Sequence, residues 1–115
     1  MRLKEIVAKT GLEVVSLPNG EVEIKAAYTS DLLSDVIGHC PEQAILITVQ
    51  NHKNSVAVST LVGAHAILIV HNRAVPDDLL ALAKQEGVAI LRTQFDQFTI
   101  SCRIGVLLGV ESGIE

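Results

Sequence analysis

The sequence predicts an α/β domain: a mainly parallel central sheet with flanking helices, plus an N-terminal β-hairpin. Three observations carry this. The runs AILITV at 44–49 and AILIV at 66–70 are apolar without alternation, the mark of strands covered on both faces. Helical segments of about ten residues separate these runs from each other and from 88–91, enough for right-handed parallel crossovers. Pro18-Asn19-Gly20 divides two shorter β-like runs, and Asn-Gly favours the positive φ angles of a tight hairpin.

Taken in order, Arg2 to Thr10 places Leu3, Ile6 and Val7 on one helical face, with Gly11 as the stop. LEVVSL and EVEIKAAY follow as the two arms of the hairpin; Val22, Ile24 and Ala26 alternate with Glu21, Glu23 and Lys25, giving one buried and one wet face. YTSDLLSDVIGHC reads as a strand end and a short helix capped by Ser30 or Asp31. Leu32, Leu33, Val36 and Ile37 are expected to face inward, and Gly38 to end the helix. Three strand–helix steps come next: 44–49 into a helix at 54–62, 65–70 into 76–86, and 88–91 into 94–108. Pro76 suits a first helical turn, and Asp77 and Asp78 complement the helix dipole. Gly105 and Gly109, four apart, would admit a second helix at close range, while Glu111 to Glu115 is expected to fray.

The 115 residues are read as one domain, 1–115, able to bury about two-thirds of its unfolded surface. Hydrophobic residues make up 49% of the chain but aromatics only 3%, so the core must be aliphatic. That apolar content predicts a homodimer or higher oligomer, with a partner enzyme as another possible cover. A net charge of −4, with scattered cations, removes the electrostatic basis for nucleic-acid binding. No segment approaches the ~20 apolar residues of a membrane span, and Lys4, Glu5 and Lys9 break up any leader-like run, so a cytoplasmic location is expected. Cys40 and Cys102 form no C-x-x-C pair, and His39, His52, His65 and His71 fall at no structural zinc spacing; no metal and no cofactor is expected.

Parallel α/β sheets bind ligands beyond the carboxyl ends of their strands, where helix N-termini converge. Polar residues collect at those junctions: Thr29-Ser30-Asp31, Gln50 to Asn54, His71-Asn72-Arg73 and Arg92-Thr93-Gln94. The candidate ligand-binding residues are Ser30, Asp31, Thr48, Gln50, His52, Asn54, His71, Arg73 and Thr93. Arg73 and Arg92 offer bidentate grips for phosphate or carboxylate, and His52 and His71 offer hydrogen bonds. Each residue taken alone is equally suited to capping a helix or facing water; Asp31 and Asp35, at i, i+4, read as surface carboxylates at a helix start. The chain has no phosphate-binding G-x-x-x-x-G-K-[ST] loop, no G-x-G-x-x-G and no G-x-S-x-G elbow, so no catalytic residue is assigned.

The segment YTSDLLSDVIGHC, followed by ILITVQNHKNSVAV and the stretch from Pro76 to Thr93, resembles the DRTGG domain family over nearly the whole chain. Matching positions are Ser30, Asp31, Ser34, Asp35, Thr48, Gln50, His52, Asn54, Pro76, Gly87 and Thr93. The resemblance implies a fold like the N-terminal domain of HPr kinase/phosphorylase and a regulatory or dimer-forming role, as beside CBS domains in regulated pyrophosphatases. The eponymous Asp-Arg-Thr-Gly-Gly is absent, with Glu23-Ile24-Lys25-Ala26-Ala27 in its place. The expected function is a non-catalytic regulatory module that binds a nucleotide or other small anionic metabolite. The alternatives are a scaffold subunit of an enzyme complex, or a small phosphate or acyl transferase with His52 or His71 as general base.

Overall fold

The computed structural model describes residues 1–110; the fraying expected for 111–115 lies outside the described residues. Among the described residues there are five helices and five strands, strictly alternating only from the second strand onward. They are α1 (Leu3–Thr10), β1 (Glu13–Ser16), β2 (Ala26–Thr29), α2 (Leu33–His39), β3 (Ala44–Thr48), α3 (Lys53–Val62), β4 (Ala66–Ile69), α4 (Asp77–Glu86), β5 (Ala89–Arg92) and α5 (Gln97–Leu107). The strands form one sheet in the order β1-β5-β4-β3-β2. It is mixed: β2 to β5 pair in parallel, and β1 joins β5 antiparallel.

The two aliphatic runs become β3 and β4, and every residue of both is buried. Alternate side chains supply two cores. Ile45, Ile47, Ala66, Leu68 and Leu91 pack with Leu3 and Ile6 of α1 and Ile100 and Ile104 of α5. Ile67, Ile69 and Ile90 meet Val56 of α3 and Leu79 and Ala83 of α4 on the opposite face. Crossovers of one hand, stepping one way across the sheet, leave α3 and α4 on a common face with α2 against α3. The result is three layers, with the helix starts of α2, α3 and α4 at the carboxyl edge of the parallel strands. Truncating a fully buried residue such as Leu68 to Ala would cost about 2–5 kcal/mol.

The expected hairpin does not form. Its two arms run at opposite edges of the sheet, β1 against β5 and β2 against β3. Neither Asn19 nor Gly20 takes a positive φ; Asn19 instead accepts the Glu21 N–H at 2.9 Å. The residues between the arms cross under the sheet, a span of about 19 Å at ~4.8 Å per strand, within the ~30 Å reach of nine extended residues. On the way they pair with the chain start: Leu3 N–H donates to Val22 O and Ile24 N–H to Met1 O. Alternation survives, with Ile24 buried and Glu21, Glu23 and Lys25 outside the core. Gly20 is closely approached: a Cβ there would sit 3.2 Å from Lys4 Cβ and 3.3 Å from Leu17 Cδ2, so those side chains would have to give by a few tenths of an ångström.

The short second helix also departs from expectation. α2 starts after Leu32 without a side-chain cap and runs through Gly38 to His39. Val36 is buried, whereas Leu32 and Ile37 are 65% and 51% exposed. Ser30 contributes by accepting the Leu32 N–H at 3.2 Å, closing the turn that precedes the helix. At the chain's far end, Gly109 takes a positive φ and ends α5, and Val110 folds back to donate its N–H to Gly105 O.

Candidate functional site

The carboxyl ends of β2 to β5 bring the four polar junctions to one edge. Backbone bonds knit neighbours together there: Ser30 N–H to Ile47 O, Val70 N–H to Thr48 O, and Asn72 N–H to Thr93 O. His71 and Asn72 hold positive φ in the β4–α4 turn, and the His71 N–H reaches Phe95 O at 3.0 Å.

One corner of this edge is closed on itself. Asp31 Oδ1 accepts from Thr48 Oγ1 at 3.1 Å, Val49 N–H at 2.9 Å and Gln97 Nε2 at 2.7 Å. Its carbonyl takes Gln50 Nε2 at 2.8 Å. Thr48 Oγ1 accepts the Gln50 N–H, and Ser55 Oγ donates to Gln50 O. Thr48 and Ser55 are fully buried, so their hydroxyls need these partners. The carboxylate thereby ties the start of α5 to the turns after β2 and β3.

The neighbouring corner is open. A groove of about 380 Å³ lies between the starts of α3 and α4, lined by Asn51, His52, Lys53, Asn54, Pro76 and Asp78. His52 is the N-cap of α3, but no side chain caps the helix and no acidic residue stands in its first turn. The dipole's positive end and the Lys53 ammonium therefore add on that wall. α4 differs: Asp77 and Asp78 occupy its first turn, and Asp78 Oδ1 accepts the Leu79 N–H at 2.8 Å. Asn51 spans the two turns, donating Nδ2 to Ala74 O at 2.8 Å and receiving Arg73 Nη2 at 3.4 Å.

The third corner is occupied by an ion pair. Arg92 donates Nη2 to Glu13 Oε2 at 2.8 Å and Nε to Oε1 at 3.2 Å, locking β1 to β5, and Nη1 reaches Arg73 O. The second bidentate grip expected at the edge is thus spent within the fold. Thr93 Oγ1 accepts the Phe95 N–H, serving the turn into α5. Asp96 caps α5 by accepting the Thr99 N–H at 2.8 Å; that bond, aided by the nearby His71, lowers its carboxyl below the ordinary value.

The nine candidate residues thus share an edge but divide by role. Asp31, Thr48, Gln50, Ser30 and Thr93 hold turns; His52 and Asn54 line the groove; Arg73 reaches the groove residue Asn51; His71 sits in the turn beyond. Asp31 and Asp35 do not act as a pair, because Asp31 precedes α2 and faces the strand ends. Asp35 accepts from Tyr28 Oη at 2.6 Å and lies 3.1 Å from His39 Nδ1. The Tyr28 hydroxyl, with Ser30 and His39 assisting, depresses the Asp35 carboxyl, and the same bond raises the Tyr28 phenol. Gln97 and Glu13 escaped the sequence reading, since no spacing marks partners 66 and 79 residues away. Asp78 was legible only as a dipole partner of its own helix.

Among the described residues no three His, Cys, Asp or Glu side chains stand close enough to hold a metal ion. Both cysteines are free; Cys40 is half-buried, which pushes its thiol up, and Cys102 is exposed. Among the described residues no helix is long and apolar enough to cross a membrane.

No protein-family model matches the chain, and no curated protein matches it. Among solved structures it is similar to the CBS and DRTGG domains of the regulatory region of Clostridium perfringens pyrophosphatase, crystallised with the activator diadenosine tetraphosphate. The TM-score is 0.69 at 15% identity, over 88% of this chain and 44% of that one, so the chain spans less than half of that structure. Likeness at this identity shows the fold alone and does not establish membership of the DRTGG family. The chain shares its α/β fold with part of that structure.

Proposed function

We propose that this protein is a non-catalytic, ligand-sensing module that binds a small anionic metabolite, nucleotides included, in the groove between the starts of α3 and α4. The observation that carries the reading is the α3 wall: an uncapped helix start without acidic residues, beside His52, Lys53 and Asn54. An anion there gains backbone N–H donors together with the side-chain donors of His52, Lys53 and Asn54. Arg73 reaches the groove residue Asn51 from the β4–α4 turn, and the Asp31 corner fixes the loop that presents the wall. The shared fold with a regulatory region supports a regulatory role, and that region's nucleotide activator supports testing nucleotides first.

Thermal-shift screening against nucleotides and acyl phosphates tests the reading. A ligand at a hundred times its Kd should add about 2.7 kcal/mol to stability. That gain should vanish in the His52→Ala/Lys53→Ala variant. Stabilisation by none of these compounds, or a gain unaltered in the variant, would overturn it.

A second reading rests on a separate observation: Leu32, Ile37, Leu61, Phe98 and Val106 are 51–79% exposed. These aliphatic and aromatic surfaces favour homo-oligomerisation, and equally a scaffold role beside a partner enzyme. Light scattering across a concentration series separates the two: a concentration-dependent dimer supports self-association. A strict monomer that retains one stoichiometric partner, with groove variants unaffected, favours the scaffold.

A further inference from the structure

We propose that two copies of this chain associate through the outer face of α5, the two helices packing antiparallel about a two-fold axis beside Cys102. The inference rests on the self-association reading above and deepens it by naming the face. Phe98, Cys102 and Val106 stand at i, i+4 and i+8, one ridge turned away from the buried Ile100 and Ile104. Among the described residues, Val106 at 79% and Phe98 at 78% are the most exposed large hydrophobics. Arg103 is the one charged residue of α5, and its guanidinium lies 4.3 Å from the centre of the Phe95 ring, drawn back toward the helix start. Gly105 sits in the same helix without a positive φ, and a Cβ there would meet nothing nearer than Val110 Cβ at 4.0 Å. Glycine weakens a helix relative to alanine, and nothing within the described residues requires it at 105; a second helix at close range does.

The occupant is a second copy because the ridge is its own complement. An axis beside Cys102 sets Phe98 of one protomer against the partner's Val106, and the reverse, an isologous contact. Beside Val106 runs a groove of about 290 Å³ between the end of α1 and α5, lined by Lys9, Thr10, Arg103, Val106 and Leu107. Its floor is aliphatic and its rim cationic, a setting that suits an aromatic ring. Phe98 is the aromatic left free for it, since Phe95 lies under Arg103 and Tyr28 is bound to Asp35. Phe98 and Val106 are about 12 Å apart along the helix, so the symmetric pair brings a ring to both grooves at once. Antiparallel packing also separates the two Arg103 guanidiniums, each drawn toward its own helix start. A helix face about 16 Å long, with the groove beside it, stays near the low end of specific interfaces. The dimer is therefore a dissociable one, between protomers whose cores are already complete.

Sedimentation equilibrium on the intact protein in reducing buffer tests this, with Phe98→Glu, Val106→Glu and, as a control on α3, Leu61→Glu. The native chain should dimerise with a Kd of about micromolar order. Phe98→Glu and Val106→Glu should each raise it at least about 100-fold, because each sets two charges in an apolar contact. Leu61→Glu should leave it within about twofold. All three positions are exposed, so the variants should keep the native circular dichroism. Diamide gives a readout that leaves Phe98 and Val106 in place: it joins two thiols as a disulfide and takes up their two protons and two electrons. Cys40→Ser should form the linked dimer, and Cys102→Ser should not. A dimer that both ridge variants leave intact, and that diamide does not link through Cys102, overturns the α5 face while self-association stands. A native chain that stays monomeric at every concentration overturns both.

Discussion

The two corners at the carboxyl edge of β3 share the loop between β3 and α3, yet they spend their polar groups in opposite ways. In the Asp31 corner one carboxylate oxygen receives three donors, two from the end of β3 and the residue after it and one from the start of α5. In the groove beside it, the start of α3 has no side-chain cap, and His52, Lys53 and Asn54 face a space of about 380 Å³. Polar density alone therefore does not mark a binding site. What matters is whether the donors already have acceptors. The first corner turns polar residues into structure so that the second can keep its own for a ligand.

Breaking the closed corner should have the largest effect. Asp31→Ala orphans three donors, including the hydroxyl of fully buried Thr48, and should cost about 2–3 kcal/mol in urea unfolding. The groove should respond in the other currency. Lys53→Ala should lower affinity for a phosphate-bearing ligand about tenfold, about 1.4 kcal/mol, yet leave unfolding within about 0.5 kcal/mol of the native chain. A variant that shifted stability strongly without changing affinity would merge the two corners into one structural role.

Glu13→Gln probes the ion pair at the far corner. Glu13 is half exposed in that pair, so the loss should stay below about 1 kcal/mol and shrink with added salt. Tyr28→Phe should have the smallest effect, and its sign depends on pH. The folded state depresses the Asp35 carboxyl, so the Tyr28–Asp35 bond adds stability above the unfolded carboxylate's pKa and loses it as pH falls through the lowered folded value. Native and Tyr28→Phe chains should differ near neutrality and converge in acid, read by denaturant midpoints along a pH series.

Much of the fold was legible because burial wrote it into composition. AILIT and AILI carry no polar face, so only strands covered on both sides suit them. The failed hairpin shows the limit. Asn19-Gly20 has the right local chemistry, but β5 offers β1 a paired edge, and Ile24 gains a buried place beyond the sheet. Tertiary burial outweighed turn preference. The edge that holds the polar junctions was likewise predictable from parallel topology, whereas the division of labour along it was not. Gln97 reaches Asp31 only because α5 returns beneath β3, and Arg92 is neutralised only because β1 lies beside β5. Such long-range partners leave no periodic trace.

The most direct test is an amide-resolved NMR titration of the intact protein with AMP. The account predicts shifts concentrated at the N–H groups of His52, Lys53 and Asn54, with smaller changes at Asp78 and Leu79. The Val49 amide, bound to Asp31, should stay still. Shifts centred on Asp31, Val49 and Gln97, with the start of α3 silent, would contradict it.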